Sequence, residues 1–312
     1  MKEKIISGVV AASLLTTGTA SIAHGMNQND NEIKEPIFIK GGNLDQNQTD
    51  ETKDELGVKR NTKSIEIDAE EVSNFTHHPY STIYSSAYIE PKTFGSGVDV
   101  DIVTEDTITS VSEAQYMNAA VSAGIQNANI KVGSVNTVTG EGALTGIYKA
   151  YENENQNLNE IDVDNASDEI NSLSSISKNH KDDPNYSDSA MNNAVANMKG
   201  DVAKEKKNND DVSDQKINNI RDNELEDKKL DNVLSDDEKA EITNILINVK
   251  NSNVVNKNPD NFIKQTDHIT KKVSDSIKDK ADNLKYEHAN KDKDDDEGWL
   301  SSIWNTIKSW FN

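Results

Sequence analysis

Residues 110–152 constrain this chain more than any other stretch, because they hold its greatest density of small and apolar residues. The stretch opens Ser110-Val-Ser-Glu-Ala-Gln-Tyr-Met-Asn-Ala-Ala-Val-Ser-Ala-Gly124. Met117, Ala120 and Val121, with Ala114 and Ala123, recur at helical spacing. Ser110 and Glu113 are spaced as a capping box, in which each side chain meets the other's backbone N–H. Gly124 stands where a left-handed residue ends a helix. Ile130, Val132 and Val135 then mark a strand. Gly142 to Glu152 reads as a second helix, with Leu144, Ile147, Tyr148 and Tyr151 at core spacing. This helix–strand–helix unit is expected to carry the main core.

The residues before it read as β-structure interleaved with short helices. Pro36 to Ile39 is a first strand. Leu44 to Leu56 suits a helix closed by Gly57. Ile65 and Ile67 share one face of a strand from Thr62 to Asp68, and Asp68 caps a helical turn that begins at Ala69. Tyr80 to Glu90 is rich in β-formers, and Val98, Val100 and Ile102 alternate with Asp99 and Asp101. Pro91 and Gly95-Ser96-Gly97 lie between these two runs, so an antiparallel hairpin with a long connection is expected. The fold class follows: α+β, with a mostly antiparallel N-terminal sheet and packed helices over residues 36–152, then an α-helical, partly disordered C-terminal region.

Composition matters most in that second half. The formal net charge is −22 and the mean hydropathy −0.78, with most of the acid after Glu152. Residues 153–232 therefore read as a polar, partly helical or disordered region, since little apolar surface is available to offset chain entropy. Ile161, Val163, Ile170, Leu173 and Ile176 suit one helix; Met191, Val195 and Met198 suit another, stopped near Gly200. Lys204 to Asp211 reads as a linker. Residues 233–296 form a helical region with a charged spacer. There Ser235 and Glu238 are a capping box ahead of Ile242, Ile245, Leu246 and Val249, and Phe262, Ile263, Ile269, Val273 and Ile277 mark a further helix.

The two ends point to location. Residues 1–23 have the pattern of a signal peptide: Lys2 and Lys4, an apolar run from Ile5 to Leu15, and small residues at Ser21 and Ala23. Residues 24–35 are a polar leader. Without cysteine there is no disulfide, thiolate nucleophile or lipid-modified cysteine. The negative field and the two arginines, Arg60 and Arg221, argue against a nucleic-acid partner.

At the other end, residues 297–312 place Trp299, Leu300, Ile303, Trp304, Ile307, Trp310 and Phe311 on one helical face. All three tryptophans of the chain are here. Such a face suits a membrane interface, a groove on the chain itself, or a partner protein.

Motifs for chemistry are weak. Gly140-x-Gly142-x-x-x-Gly146 opens a helix after a strand, but Asn153 to Asn157 is no second strand with a ribose-binding acid, so close packing accounts better for the glycines. Asp292, Asp294 and Asp296 resemble the start of a calcium loop, yet Glu297 and Ile303 occupy positions that need Gly and Glu. His77 and His78 would face opposite ways on a strand. Ser85, Ser86 and Ser96 show no base arrangement. No catalytic, cofactor-binding or metal-ligating residue is assigned.

Several stretches resemble the YpuA-like proteins, a family also called domain of unknown function 1002. They are Gly95-Ser-Gly-Val-Asp-Val100, Ile108-Thr109, Tyr116-Met-Asn-Ala-Ala120, Ala123-Gly-Ile125, Lys131-Val132 and Val138-Thr-Gly-Glu-Gly-Ala-Leu-Thr-Gly-Ile-Tyr-Lys-Ala-Tyr-Glu152. Gly42-Asn-Leu44, Ser85-Ser86-Ala87, Ile303-Trp304-Asn305 and Ile307-Lys308 are similar to further family elements. The chain departs from the family in its Asn-, Asp- and Lys-rich middle. The resemblance implies an exported protein of a Gram-positive bacterium and brings no activity with it. The expectation is a non-enzymatic, cell-envelope-associated binding protein. The rivals are an envelope hydrolase using a carboxylate pair and a secreted factor acting through the C-terminal helix.

Overall fold

The computed structural model describes residues 32–289, except 155, 157 and 210, with side chains as far as Asp279. The signal pattern and residues 297–312 lie outside the described residues.

Five strands form one sheet. They are β1 (Ile37–Gly41), β2 (Lys63–Ile67), β3 (Ser86–Pro91), β4 (Asp99–Ile102) and β5 (Ala128–Gly133), in the order β2-β1-β3-β5-β4. The α+β class stands, with a mixed sheet: β1–β3 and β3–β5 are antiparallel, β1–β2 and β4–β5 parallel. Each parallel pair is joined by a helix, α1 (Gln46–Leu56) between β1 and β2, and α3 (Glu113–Ser122) between β4 and β5. A parallel pair needs such a crossover.

The expected hairpin between β3 and β4 is therefore corrected, because β5 lies between them. Alternation marked both strands rightly, but a hairpin arm and the first strand of a β-α-β unit carry the same alternation.

The register sorts the two faces. Phe38 lies opposite Tyr88, and both point to the side covered by α1, where Leu56 completes a small cluster. One residue on either side, Ile37, Ile39, Ala87, Ile89, Ile130 and Val132 point the other way, into the main core. That face receives α2 (Ala69–Thr76), α3 and α4 (Glu141–Asn153). The α4 backbone comes close enough that a Cβ at Gly146 would overlap the Ile39 Cγ2 methyl.

α3 is buried on every side from Ala114 to Ser122, because it carries the sheet on one flank and helices on the others. Its cap differs from expectation by two residues: Ser112 caps Gln115 N, and the Gln115 side chain returns to Ser112 N at 2.8 Å. Glu113 instead accepts the Ile102 backbone N–H at 3.0 Å, tying the helix to the edge strand.

Beyond Glu152 the described chain is helical: α5 (Glu160–His180), α6 (Asp188–Asn208), α7 (Asp214–Asp227), α8 (Asp236–Asn251), α9 (Asn253–Lys257) and α10 (Pro259–Ala289). α5, α6 and α10 pack on α3, with α6 and α10 in the longest mutual contact. One continuous core runs from Ile33 to Ile277. Gly200 does not stop α6, which continues through most of the expected linker to Asn208. The missing side chain there admits Thr266 of α10, whose Oγ1 lies 2.7 Å from where a Cβ would stand.

Candidate functional site

The four elements around the start of α3 leave a solvent-open cleft of about 1250 Å³. β4 and the loop into α3 form the floor, the end of α5 one wall, and the middle of α10 the other. Val100, Ile102, Ile108, Val111, Ala114 and Met117 lie in that floor, each 8% exposed or less, among polar residues such as Thr109, Ser110 and Ser112.

A polar chain runs along the α5 wall. The Gln115 amide donates to Ser177 Oγ at 3.0 Å, and Ser177 in turn donates to Asp188. The Tyr186 hydroxyl meets Ser177 Oγ at 3.2 Å, and its ring stacks on His180, with centroids 5.2 Å apart. His180 Nε2 is 3.0 Å from both carboxylate oxygens of Glu238, which also closes the capping box of α8 with Ser235. Burial pushes the Asp188 carboxyl above its ordinary range, against the bonds from Ser177, Ser112 and Asn192. Burial would raise Glu238 too, but hydrogen bonds from His180, Ser235 and Asn179 outweigh it and hold that carboxyl down at about 2. The Ser174 hydroxyl, on the same wall, is buried and has no partner among the described residues.

An ion cluster holds the α10 wall. Asp99 of β4 accepts His268 Nε2 at 2.8 Å, Lys272 at 3.2 Å and Lys92 at 2.6 Å. Burial works against the charge on Asp99, yet the bonds from His268, Lys92 and Lys272 and the charge of Lys92 keep its carboxyl well below the usual carboxylate range.

Four lysines line the cleft, Lys178, Lys181, Lys271 and Lys272, beside six carboxylates. Acid exceeds base there in nearly the same proportion as in the whole chain, which has 55 acidic and 33 basic residues. A ligand carrying hydroxyl groups meets hydroxyls, amides and ammonium groups here.

A smaller cavity of about 340 Å³ lies beside the start of α4, lined by Tyr80, Ile83, Ser85, Thr139, Gly140 and Gly142. The Tyr116 hydroxyl donates to the Gly140 carbonyl at 2.6 Å, and Glu141 Oε2 is buried without a partner among the described residues. Burial, with the nearby Glu141 charge, pushes the Tyr80 hydroxyl up to about 12.

The residues weighed in the sequence scatter. His77 is the left-handed residue ending α2, and both it and His78 are exposed. Ser86 accepts the Gly41 backbone N–H at 3.1 Å, inside the sheet. Asp292, Asp294, Asp296 and the aromatic face from Trp299 to Phe311 lie outside the described residues. Among the described residues no three His, Asp or Glu side chains are grouped to hold a metal ion, and no helix is long and apolar enough to cross a membrane.

The model of a family described as a protein of unknown function (DUF1002) matches residues 40–290. The chain belongs to this family. Among curated proteins it is similar to the uncharacterised protein YpuA of Bacillus subtilis (strain 168), at 27% identity over 161 residues, 48% of this chain and 51% of that protein. It thus spans about half the length of that relative. No solved structure matches. Membership of a family of unknown function brings no activity or ligand with it.

Proposed function

We propose that this protein is an exported, non-enzymatic binding protein of the cell envelope, and that the cleft between β4, α3, α5 and α10 seats a hydroxyl-rich, anionic polymer of that envelope. The observation that carries the reading is the cleft's lining: a floor of mixed apolar and polar residues, hydroxyls on both walls, and the exposed lysines Lys178, Lys181, Lys271 and Lys272. Three of its six carboxylates are engaged by the fold, Asp99 by three cations, Glu113 by the edge strand and Asp188 by Ser177. The signal pattern of residues 1–23 supports export.

Co-sedimentation with isolated cell-wall sacculi tests the proposal. The full-length mature chain is expected to pellet with sacculi. Lys178→Glu with Lys271→Glu, both exposed, should weaken binding by at least about tenfold, the equivalent of roughly 1.4 kcal/mol. Equal sedimentation of both proteins, or of neither, sinks it.

One observation favours an envelope hydrolase as the second reading. Asp188 and Asp99 line the same cleft with their carboxyl pKa values pushed apart, upward and downward, as an acid and a base are. Release of soluble fragments from sacculi, abolished by Asp188→Asn, would establish it.

A further inference from the structure

We infer that the smaller cavity, at the start of α4, is a second binding site, one that takes a singly charged phosphate group such as that of a phosphodiester. The loops Pro79 to Ser85 and Asn136 to Gly140 enclose it, and the first turn of α4 adds Gly142. It shares no lining residue with the cleft, so either site can fail without the other.

The backbone supplies the first donors. α4 is 13 residues long, and its N-cap, Gly140, has no side chain to cap with. The N–H groups of Glu141 and Gly142 therefore have no intrahelical acceptor, and they find none elsewhere among the described residues. Free N–H groups at the positive end of a helix dipole suit an anion. A helix start by itself is no site, because water serves such groups as well.

Ser85 is the second, independent observation. Its side chain is 3% exposed and lines the cavity. Its Oγ lies 2.9 Å from where a Cβ on Gly142 would stand, so it faces the open turn of the helix. The hydroxyl nevertheless has no hydrogen-bond partner among the described residues. Buried polar groups are nearly always paired, so a free hydroxyl beside free N–H groups points to a ligand between them. Glycine at 142 keeps that space open, whereas Gly146 answers to the packing of α4 on Ile39.

The rest of the lining sets the chemical class. Tyr80, Ser81, Thr137 and Thr139 add hydroxyls and Asn136 an amide, with no charged side chain among the lining residues. These donors outnumber the roughly four lone-pair sites of a carboxylate and suit the tetrahedral oxygens of a phosphate. Glu141 limits the charge. It does not line the cavity, but its carboxylate acts on Tyr80, which does. A like charge nearby penalises further ionisation, so a group with one charge is preferred to a dianion such as sulfate. The residues after α4 exclude a dinucleotide, but a lone phosphate group needs neither a second strand nor a ribose-binding acid.

Dimethyl phosphate, a diester with one fixed charge, is the probe, added to the isotope-labelled full-length mature chain. The amide signals of Glu141 and Gly142 should move together along one saturable curve. Sulfate at the same ionic strength should bind at least about tenfold more weakly. Ser85→Ala removes a hydroxyl that strands no partner, so it should leave Tm unchanged or higher and weaken dimethyl phosphate binding roughly tenfold. No saturable movement, an equal response to sulfate, or parental affinity in Ser85→Ala overturns the site. So does a lowered Tm in that variant, which would make the hydroxyl part of the fold. Phosphatidylglycerol vesicles that displace the bound probe make a lipid headgroup the source of the phosphate, and vesicles that leave it bound make the source a soluble or polymer-borne diester; both results uphold the site.

Discussion

Lys199 Nζ lies 2.7 Å from Glu169 Oε1, and neither side chain is more than 2% exposed. The other lysine protons go to the Asn118 carbonyl at 2.9 Å and to Ser122 Oγ at 3.0 Å, while Ser122 donates to Glu169 Oε2 at 2.5 Å. α3, α5 and α6 thus meet on a fully satisfied buried ion pair. Burial lowers the Lys199 pKa, and the charge and hydrogen bond of Glu169 resist that shift. Lys199→Met leaves a carboxylate buried and unpaired, which should cost about 3–5 kcal/mol. Adding Glu169→Met should restore most of that loss, because an apolar pair removes the desolvated charge altogether. Urea melts of the three proteins decide it: a single variant as stable as the parent means that the pair does not anchor the junction.

Gly146 sits where α4 crosses β1, and Ile39 fills the space that a side chain there would need. Gly146→Ala should destabilise by about 1–3 kcal/mol through overpacking, despite the better helix propensity of alanine. Ile39→Ala alone opens a cavity, but combined with Gly146→Ala it makes room for the new methyl. The two effects should therefore sum to clearly less than their separate costs. Strict additivity in a double-mutant cycle would show that the close approach is not what selects glycine.

Where a local period settles an element, the chain could be read directly. Val100 and Ile102 are buried while Asp101 is exposed, and Ser235 with Glu238 caps α8. What joins distant residues left no such mark. β4 carries the alternation of a hairpin strand and pairs with β5, because the choice of neighbour rests on a crossover helix. The cleft draws its lining from β4, α3, α5 and α10, none of which shows a motif alone. Lys199 had one signal, its place four residues after Val195 within the apolar stripe of α6. A lysine on such a stripe implies a buried acid elsewhere but does not say which.

Acid should unfold this protein partly through Glu238 and Asp99. Both carboxyls are held below their ordinary values of 4.5 and 3.8 in the folded chain. The folded state therefore binds fewer protons than the unfolded state in this range. Their stabilisation is complete above those ordinary values and is lost as the pH falls toward about 2. Burial raises Asp162, Asp188 and Glu224, which act in the opposite direction, so variants are needed to isolate the effect. Glu238→Gln and Asp99→Asn should each lower Tm at pH 6 and flatten its decline between pH 5 and 2. A parallel decline in parent and variants would rule these two groups out.

The Asp162 side chain reaches across 91 residues of chain to accept the Asn253 N–H, and also that of Val254, both at 3.0 Å. It belongs to the first turn of α5 and is 1% exposed, yet it satisfies the first turn of α9. α9 leads directly into α10, the helix that walls the cleft, so this bond helps to set where that wall begins. Asp162→Ala strands two partly buried donors and should cost about 1–3 kcal/mol. Asp162→Asn keeps one carbonyl acceptor and should recover only part of the loss. Hydrogen exchange locates the effect: amides of residues 253–257 should exchange faster in both variants, the alanine variant more so, while those of α1 change only as far as global stability does. Unchanged protection at 253–257 would mean that α9 is held by its own Ser252 cap and the packing of Val255, and that Asp162 adds nothing to the placement of α10.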